Sequence, residues 1–352
     1  MKKQGRFCFM GMIFLLLINK HITAQDLSNA GSYMSYINDK ERETTKKYLN
    51  YISAASHGKS LRKVEKLREQ VLNSIYETRI TVQGVPPFEG DKTLRDASVA
   101  YLQLCYKVFN EDYGKIVNME EIAEQSYDAM EAYMLAQKMA NEKLDEAGEK
   151  RNATGREFAK KFNISLLEST DALNQKMEKS SRVTEYYNAI YLIFFKAYKQ
   201  EAYLVEALNK GNIISIEQNK NSLLKYAEEG IAKLDTMKAF DSDASLVASC
   251  QRMMQFFKSE AGEKVPVMTD YFLKKESFEK AQKAFNSKSA SQRSKTDVDN
   301  YNKLVSEMNQ AGNDYNKVNN EINKKRSDAL DNWNSIVKKY WNNHMPYARG
   351  TN

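Results

Sequence analysis

The chain has 352 residues, with 53 basic and 46 acidic side chains, a formal net charge of +7 and 42% hydrophobic residues. Four of the basic residues, Lys2, Lys3, Arg6 and Lys20, fall in the first 24 positions, which hold no acidic residue; the rest carries 49 basic and 46 acidic residues, a net of +3. So near a balance excludes the clustered basic face that nucleic acid requires.

Only four prolines and fourteen glycines interrupt long amphipathic runs, and no alternating apolar run is long enough for a sheet, so the composition predicts an all-α chain. Residues 1–24 read as an export signal: a basic start, an apolar core over 10–18, and Ile22-Thr23-Ala24 before Gln25 as the cleavage site. The apolar run is too short to span a bilayer, so no transmembrane segment is expected after signal removal, and Cys8 sits too early for a lipid-modified cysteine. The mature protein is therefore expected in the periplasm, at the cell surface or secreted, where ATP-driven and nicotinamide-recycling chemistry is out of place. After cleavage Cys105 and Cys250 remain, and they either bridge in an oxidising envelope or stay as two buried thiols.

From residue 25 the chain reads as two tandem, internally duplicated antiparallel helical-bundle units. Phe88-Glu89-Gly90-Asp91 matches Phe240-Asp241-Ser242-Asp243 at a spacing of 152, Tyr33 and Ile37 fall on Tyr186 and Ile190 at 153, and Gly58 falls on Gly211. Met130 and Met134 meet Leu304 and Met308 at 174, which implies an insertion of about 22 residues in the second unit, placed at 275–296 as a loop. The expected division is a signal over 1–24, a first unit over 25–165, a linker over 166–181, a second unit over 182–343 and a tail over 344–352.

In the first unit a helix over 32–55 ends at His57-Gly58-Lys59, with glycine supplying a left-handed cap and Ser60 capping the next helix. Gly84-Val85-Pro86-Pro87 breaks that second helix, and Asp91 or Thr93 caps the third, as Asp243 or Ser245 does in the second unit. The Phe-acid-x-Asp loops read as turns anchored by Phe88 and Phe240. The fourth helices, over 119–162 and 298–341, are long and coiled-coil-like: Leu304, Met308, Ala311, Tyr315, Val318 and Ile322 recur at alternating gaps of four and three. Asparagines 309, 313, 316, 319, 320 and 323 crowd the other faces. Between the units, Tyr186 to Tyr198 is apolar nearly all round and predicts a central buried helix.

Few residues offer chemistry. His57 and His344 alone survive signal removal, neither in a Glu-x-x-His pair, since Ala54 and Trp341 stand three residues earlier; no zinc motif, P-loop or nucleophile elbow occurs. No catalytic residue, metal or cofactor is therefore expected. The basic turn of His57, Lys59, Arg62 and Lys63 reads either as an anion-holding helix start or as a capped turn with solvated cations. Tyr187, Tyr191 and Phe195 read either as core or as an aromatic pocket for a small hydrophobic ligand. Glu120, Glu121, Glu124 and Glu131 form an acidic helix start that stabilises its own helix.

His57-Gly58-Lys59-Ser60, Phe88-Glu89-Gly90-Asp91, Asn110-Glu111-Asp112-Tyr113, the run from Met119 to Tyr127, Tyr191-Leu192-Ile193-Phe194-Phe195-Lys196 and Asp331-Asn332-Trp333-Asn334 together resemble an uncharacterised family of exported bacterial surface proteins, spirochaete-type and widespread in Gram-negative envelopes. The resemblance spans nearly the whole mature chain and implies an envelope or surface location without supplying a mechanism. The reading that follows is a non-enzymatic helical envelope protein binding another protein or a wall polymer; the alternative is a periplasmic carrier of a lipid or aromatic molecule between the units.

Overall fold

A computed structural model describes residues 27–112, 124–166 and 172–348. Residues 1–24, expected as an export signal, and Glu120 and Glu121 lie outside the described residues. All regular structure among the described residues is helical, and none of these helices is long and apolar enough to cross a membrane.

The first half comprises α1 (Ala30–Ser56), α2 (Leu61–Gln83), α3 (Thr93–Lys107), a π turn (Val108–Asp112) and α4 (Tyr127–Lys161). The second comprises α5 (Ala172–Lys210), α6 (Ile213–Asp235), α7 (Ser245–Ser259), a π turn (Glu260–Lys264), α8 (Val265–Asn286), a 3-10 turn (Ala290–Gln292) and α9 (Lys295–His344). Short connections make successive helices antiparallel neighbours. In each half the first helix packs on the second, the second on the third, and the third on the long last helix; α8 is added in the second half, against α6 and α9.

Capping chemistry sets several of the boundaries. The side chains of Asn29, Ser126 and Asn212 accept from the backbone N–H groups of Ser32, Ala129 and Ser215, and Ser294 with Asp297 forms a reciprocal capping box at the start of α9. Gly58 and Gly211 end α1 and α5 at φ 64°, the left-handed conformation that glycine adopts without strain. Ser60, by contrast, makes no side-chain cap: only its carbonyl accepts, from Lys63 and Val64.

The matched loops fold alike. Phe88 and Asp91 exchange two backbone hydrogen bonds, as do Phe240 and Asp243, and both central residues of each turn have positive φ: Glu89 and Gly90, then Asp241 and Ser242. Phe88 packs at 5.5 Å from Tyr33 and 5.0 Å from Phe162; Phe240 packs at 5.3 Å from Tyr186 and 5.1 Å from His344. The loop aspartates both cap and clamp. Asp91 accepts from the Thr93 N–H and from Lys161, which holds its carboxyl down at about 2. Burial works against ionisation of Asp243, but hydrogen bonds from His344 and Ser245 keep it below the usual range.

The 23-residue α2 and α6, the 15-residue α3 and α7, and the two five-residue π turns all stand 152 residues apart. At the C-terminal ends the parallel positions are Phe158 and Tyr340, Phe162 and His344, which are 182 residues apart rather than 174. The extra length is helical, not a loop over 275–296: α8 runs on to Asn286 and α9 starts at Lys295. Residues 172–181, expected as linker, are the first turns of α5, and the tail docks, with Met345 buried and Tyr347 on His57.

Two cores result. One gathers Tyr33, Ile37, Val71, Leu94 and Phe158; the other gathers Ile190, Phe194, Leu223, Met254 and Tyr340, and also takes in Met130 from α4. Burial of this many large apolar side chains, each worth about 1.5–3 kcal/mol, drives both. The 186–198 segment lies on α5, which touches α1 and α4 as well as α6, α7 and α9; Ile190, Phe194, Phe195 and Ala197 are buried, but Tyr198 is 36% exposed, so the segment is not covered all round.

Candidate functional site

The basic turn is a structural junction. The ring of His57 stacks on Tyr347 at 3.9 Å, and its Nδ1 lies 2.6 Å from the Ser53 carbonyl. Its Nε2 is buried with no hydrogen-bond partner among the described residues. Lys59, Arg62 and Lys63 are exposed around it. The C-terminal tail therefore lies against this turn, and Lys176 of α5 also donates to the Tyr347 carbonyl at 2.9 Å.

The aromatic candidates of α5 form a ladder. Tyr187 stacks with Tyr191 at 5.5 Å and leans on Trp341 at 4.7 Å, Tyr191 stacks on Phe195 at 5.6 Å, and Phe195 is 3% exposed. Each ring's neighbours are other rings, the arrangement of a packed core. Burial drives the hydroxyl pKa values of Tyr187 and Tyr191 upward, that of Tyr191 to about 12.

Cys105 and Cys250 are both free thiols, one on α3 and one on α7, so the bridge considered from sequence does not form. Cys250 is fully buried and its thiol points at the Ile190 carbonyl at 3.8 Å. Burial pushes both thiols up, Cys105 to about 12, which keeps them protonated and unreactive. Among the described residues no group of three or more His, Cys, Asp or Glu could hold a metal ion.

The most polar buried places went unnoticed in the sequence. In the first half, Arg151 of α4 pairs with Glu41 of α1 at 2.8 Å, donates to Ser98 of α3 at 3.2 Å and also bonds Asn38. In the second, Arg326 of α9 pairs with Glu201 of α5 and with Glu260, the first residue of the π turn, at 2.6 Å. Burial, with Glu201 beside it, pushes the Glu260 carboxyl up to about 8 despite Arg326. A signal was present: Glu201 lies between Ala197 and Leu204, and Arg326 four residues after Ile322, each at the next position of an apolar seam. A charge on a seam must be paired inside the core.

The remaining distinct surface is the α8–α9 hairpin. Residues 270–310 contain no buried side chain. The hairpin is held by Phe285 on Tyr301 at 4.4 Å, Arg293 over Phe285 at 4.2 Å and Lys288 with Asp297 at 2.7 Å. Comparison with known protein families, with curated proteins and with solved structures finds no match for this chain.

Proposed function

We propose that the protein is an exported, non-enzymatic helical envelope protein that binds another protein or a wall polymer through its helical surfaces. The observation that carries the reading is the α8–α9 hairpin: a two-helix arm of 41 residues, 270–310, in which no side chain is fully buried and whose base rests on the second core through Phe272. An arm of this kind must repay the entropy of its own ordering through its seam or through a partner. Its seam is aromatic, with Tyr271 and Phe272 on Tyr315 and Phe278 and Phe285 on Tyr301, while Leu273 and Val298 stay exposed among charges and amides.

The two halves are further read as copies of one ancestral unit, with the arm as an addition to the second. The equal lengths of α2 and α6 and of α3 and α7, the paired turns and the paired π turns support this.

Two measurements test the functional reading. Fractionation of cells producing the full chain, with sequencing of its N-terminus, should find a chain starting at Gln25 in the envelope; an uncleaved chain in the cytoplasm overturns export. A photo-crosslinking residue placed at Glu279 or Asn302 on the arm should give a discrete adduct in intact cells, and one at Lys46 on α1 should not. Equal adducts from both places overturn the arm as the contact.

A further inference from the structure

α9 carries twelve asparagines in 50 residues, whereas α4, the long last helix of the first half, carries two in 35. A chain-wide preference for asparagine would enrich both helices, so the excess belongs to α9. Its placement is regular. Asn302, Asn309, Asn316 and Asn323 recur every seven residues, and Asn313 and Asn320 fill a second row beside them, with a serine at each end of that row. All are exposed, on the side of α9 opposite its apolar seam, and the two rows run for about 37 Å without a charged or apolar member. The outer face of α4 is the ordinary case, with Lys138, Glu142, Glu146 and Glu149 exposed.

Asparagine forms helix less readily than Lys, Glu, Gln or Arg, so an exposed face built from it gives up helix stability that those residues would keep. The amides are open to a ligand: of the six, only Asn323 has hydrogen-bond partners among the described residues, Arg326 and Asn319. A protein partner would need apolar or aromatic anchors and a polyanion would need cations, and the two rows hold neither; Lys303, Lys317 and Lys324 line one edge. What the face offers is a neutral amide at each step, which donates and accepts at once, as a hydroxyl or an acetamido group does. Lysine only donates, and an ionised carboxylate only accepts.

The spacing points the same way. Seven residues advance about 10.5 Å along a helix axis, close to the advance of one disaccharide in an extended β-1,4-linked glycan, so each successive sugar pair meets the same amides. An acetamido group makes two complementary hydrogen bonds with one asparagine, through its N–H and its carbonyl. We propose that the amide face of α9 binds an extended N-acetylated β-1,4-glycan laid along the helix. Each step is a weak contact, and affinity comes from several steps engaged together on one strand. The inference deepens the wall-polymer reading and rests on it for its setting in the envelope, but purified protein tests it without export.

The experiment is co-sedimentation of the purified protein with chitin beads, and with microcrystalline cellulose as the same linkage without the acetamido group. The protein should sediment saturably with chitin, at least about tenfold more tightly than with cellulose, and equally at physiological and high salt, because the face is uncharged. Asn309→Ala, Asn313→Ala, Asn316→Ala and Asn320→Ala combined should weaken chitin binding at least about tenfold. The same variant should melt no earlier than the natural chain, since alanine is the better helix former, and this separates lost contacts from a lost fold. Lys317→Ala with Lys324→Ala, on the edge of the face, should leave binding unchanged. No sedimentation with chitin, equal binding to cellulose, loss at high salt, or full binding by the fourfold variant each overturns the inference. None of these results bears on export or on the crosslinks of the arm, which are read in cells, so the two readings fail separately.

Discussion

On the proposed duplication, the two halves place their buried charge at different levels. Glu41 and Arg151 in the first half stand where Phe194 and Trp333 stand in the second, 153 and 182 residues on, and the second pair is an aromatic stack at 4.6 Å. Ser98, which supports Arg151, corresponds at 152 to the buried Cys250. Conversely, Glu260 and Arg326 stand where the first half has Val108 and Leu144, which share a small apolar cluster. The hydroxyls of Thr44, Ser74 and Thr78 join α1 to α2, whereas α6 carries Gly230 at the level of Thr78, with Met254 and Ile193 closing over it. The frame therefore requires volume at each level rather than a particular chemistry, provided that a buried charge arrives with its partner.

The largest expected effect comes from breaking one pair. Arg326→Ala leaves Glu201 and Glu260 together without a cation, and denaturant unfolding should show a loss of about 3–5 kcal/mol. Arg151→Ala should cost a similar amount, but importing the second half's solution as the double variant Glu41→Phe with Arg151→Trp should bring stability back to within about 2 kcal/mol of the natural chain. A double variant no better than the single ones would break the correspondence between the halves. Phe195→Ala removes a ring from the α5 ladder and should cost about 3–5 kcal/mol. Full stability with that change would reopen the aromatic pocket.

The pH dependence of stability sharpens the same contrast. Glu260 holds its proton up to about pH 8 in the fold but releases it from about 4.5 when unfolded, so the folded state binds the extra proton between those values. Its contribution is intact below 4.5 and is lost as pH rises through 8. The stability of Glu260→Gln relative to the natural chain should therefore rise across that window, and a flat difference would remove the neutral acid from the core. The smallest effect lies in the matched turns. Ser242→Gly relieves a left-handed serine at φ 71° and should raise stability by about 0.5–1 kcal/mol, while Gly90→Ser should lower it by a similar amount.

What the sequence displayed was periodicity and punctuation. The apolar seam of α9, the Gly58 cap, the break at Gly84 and the anchored Phe88 and Phe240 turns follow from local rules, and the folded chain keeps them. The junctions were harder to read. Nothing local distinguishes Ser60, whose hydroxyl is idle, from Ser126, whose hydroxyl caps, because the choice depends on how the preceding turn enters the helix. The reach of α8 and α9 was missed because a Ser-rich turn over 287–294 made the whole insertion resemble a loop. The cluster around Glu260 is assembled from residues on two helices and a π turn, and spacing along one chain does not bring such residues together.

The placement of α5 has a consequence for how the molecule comes apart. Since α5, which belongs to the second core, also touches α1 and α4, and Met130 of the first half sits in the second core, melting either half strips cover from the other. The two bundles are thus expected to unfold together: heat should take them through one transition, with the arm fraying ahead of it, and two resolved transitions would show that the link between them is weak.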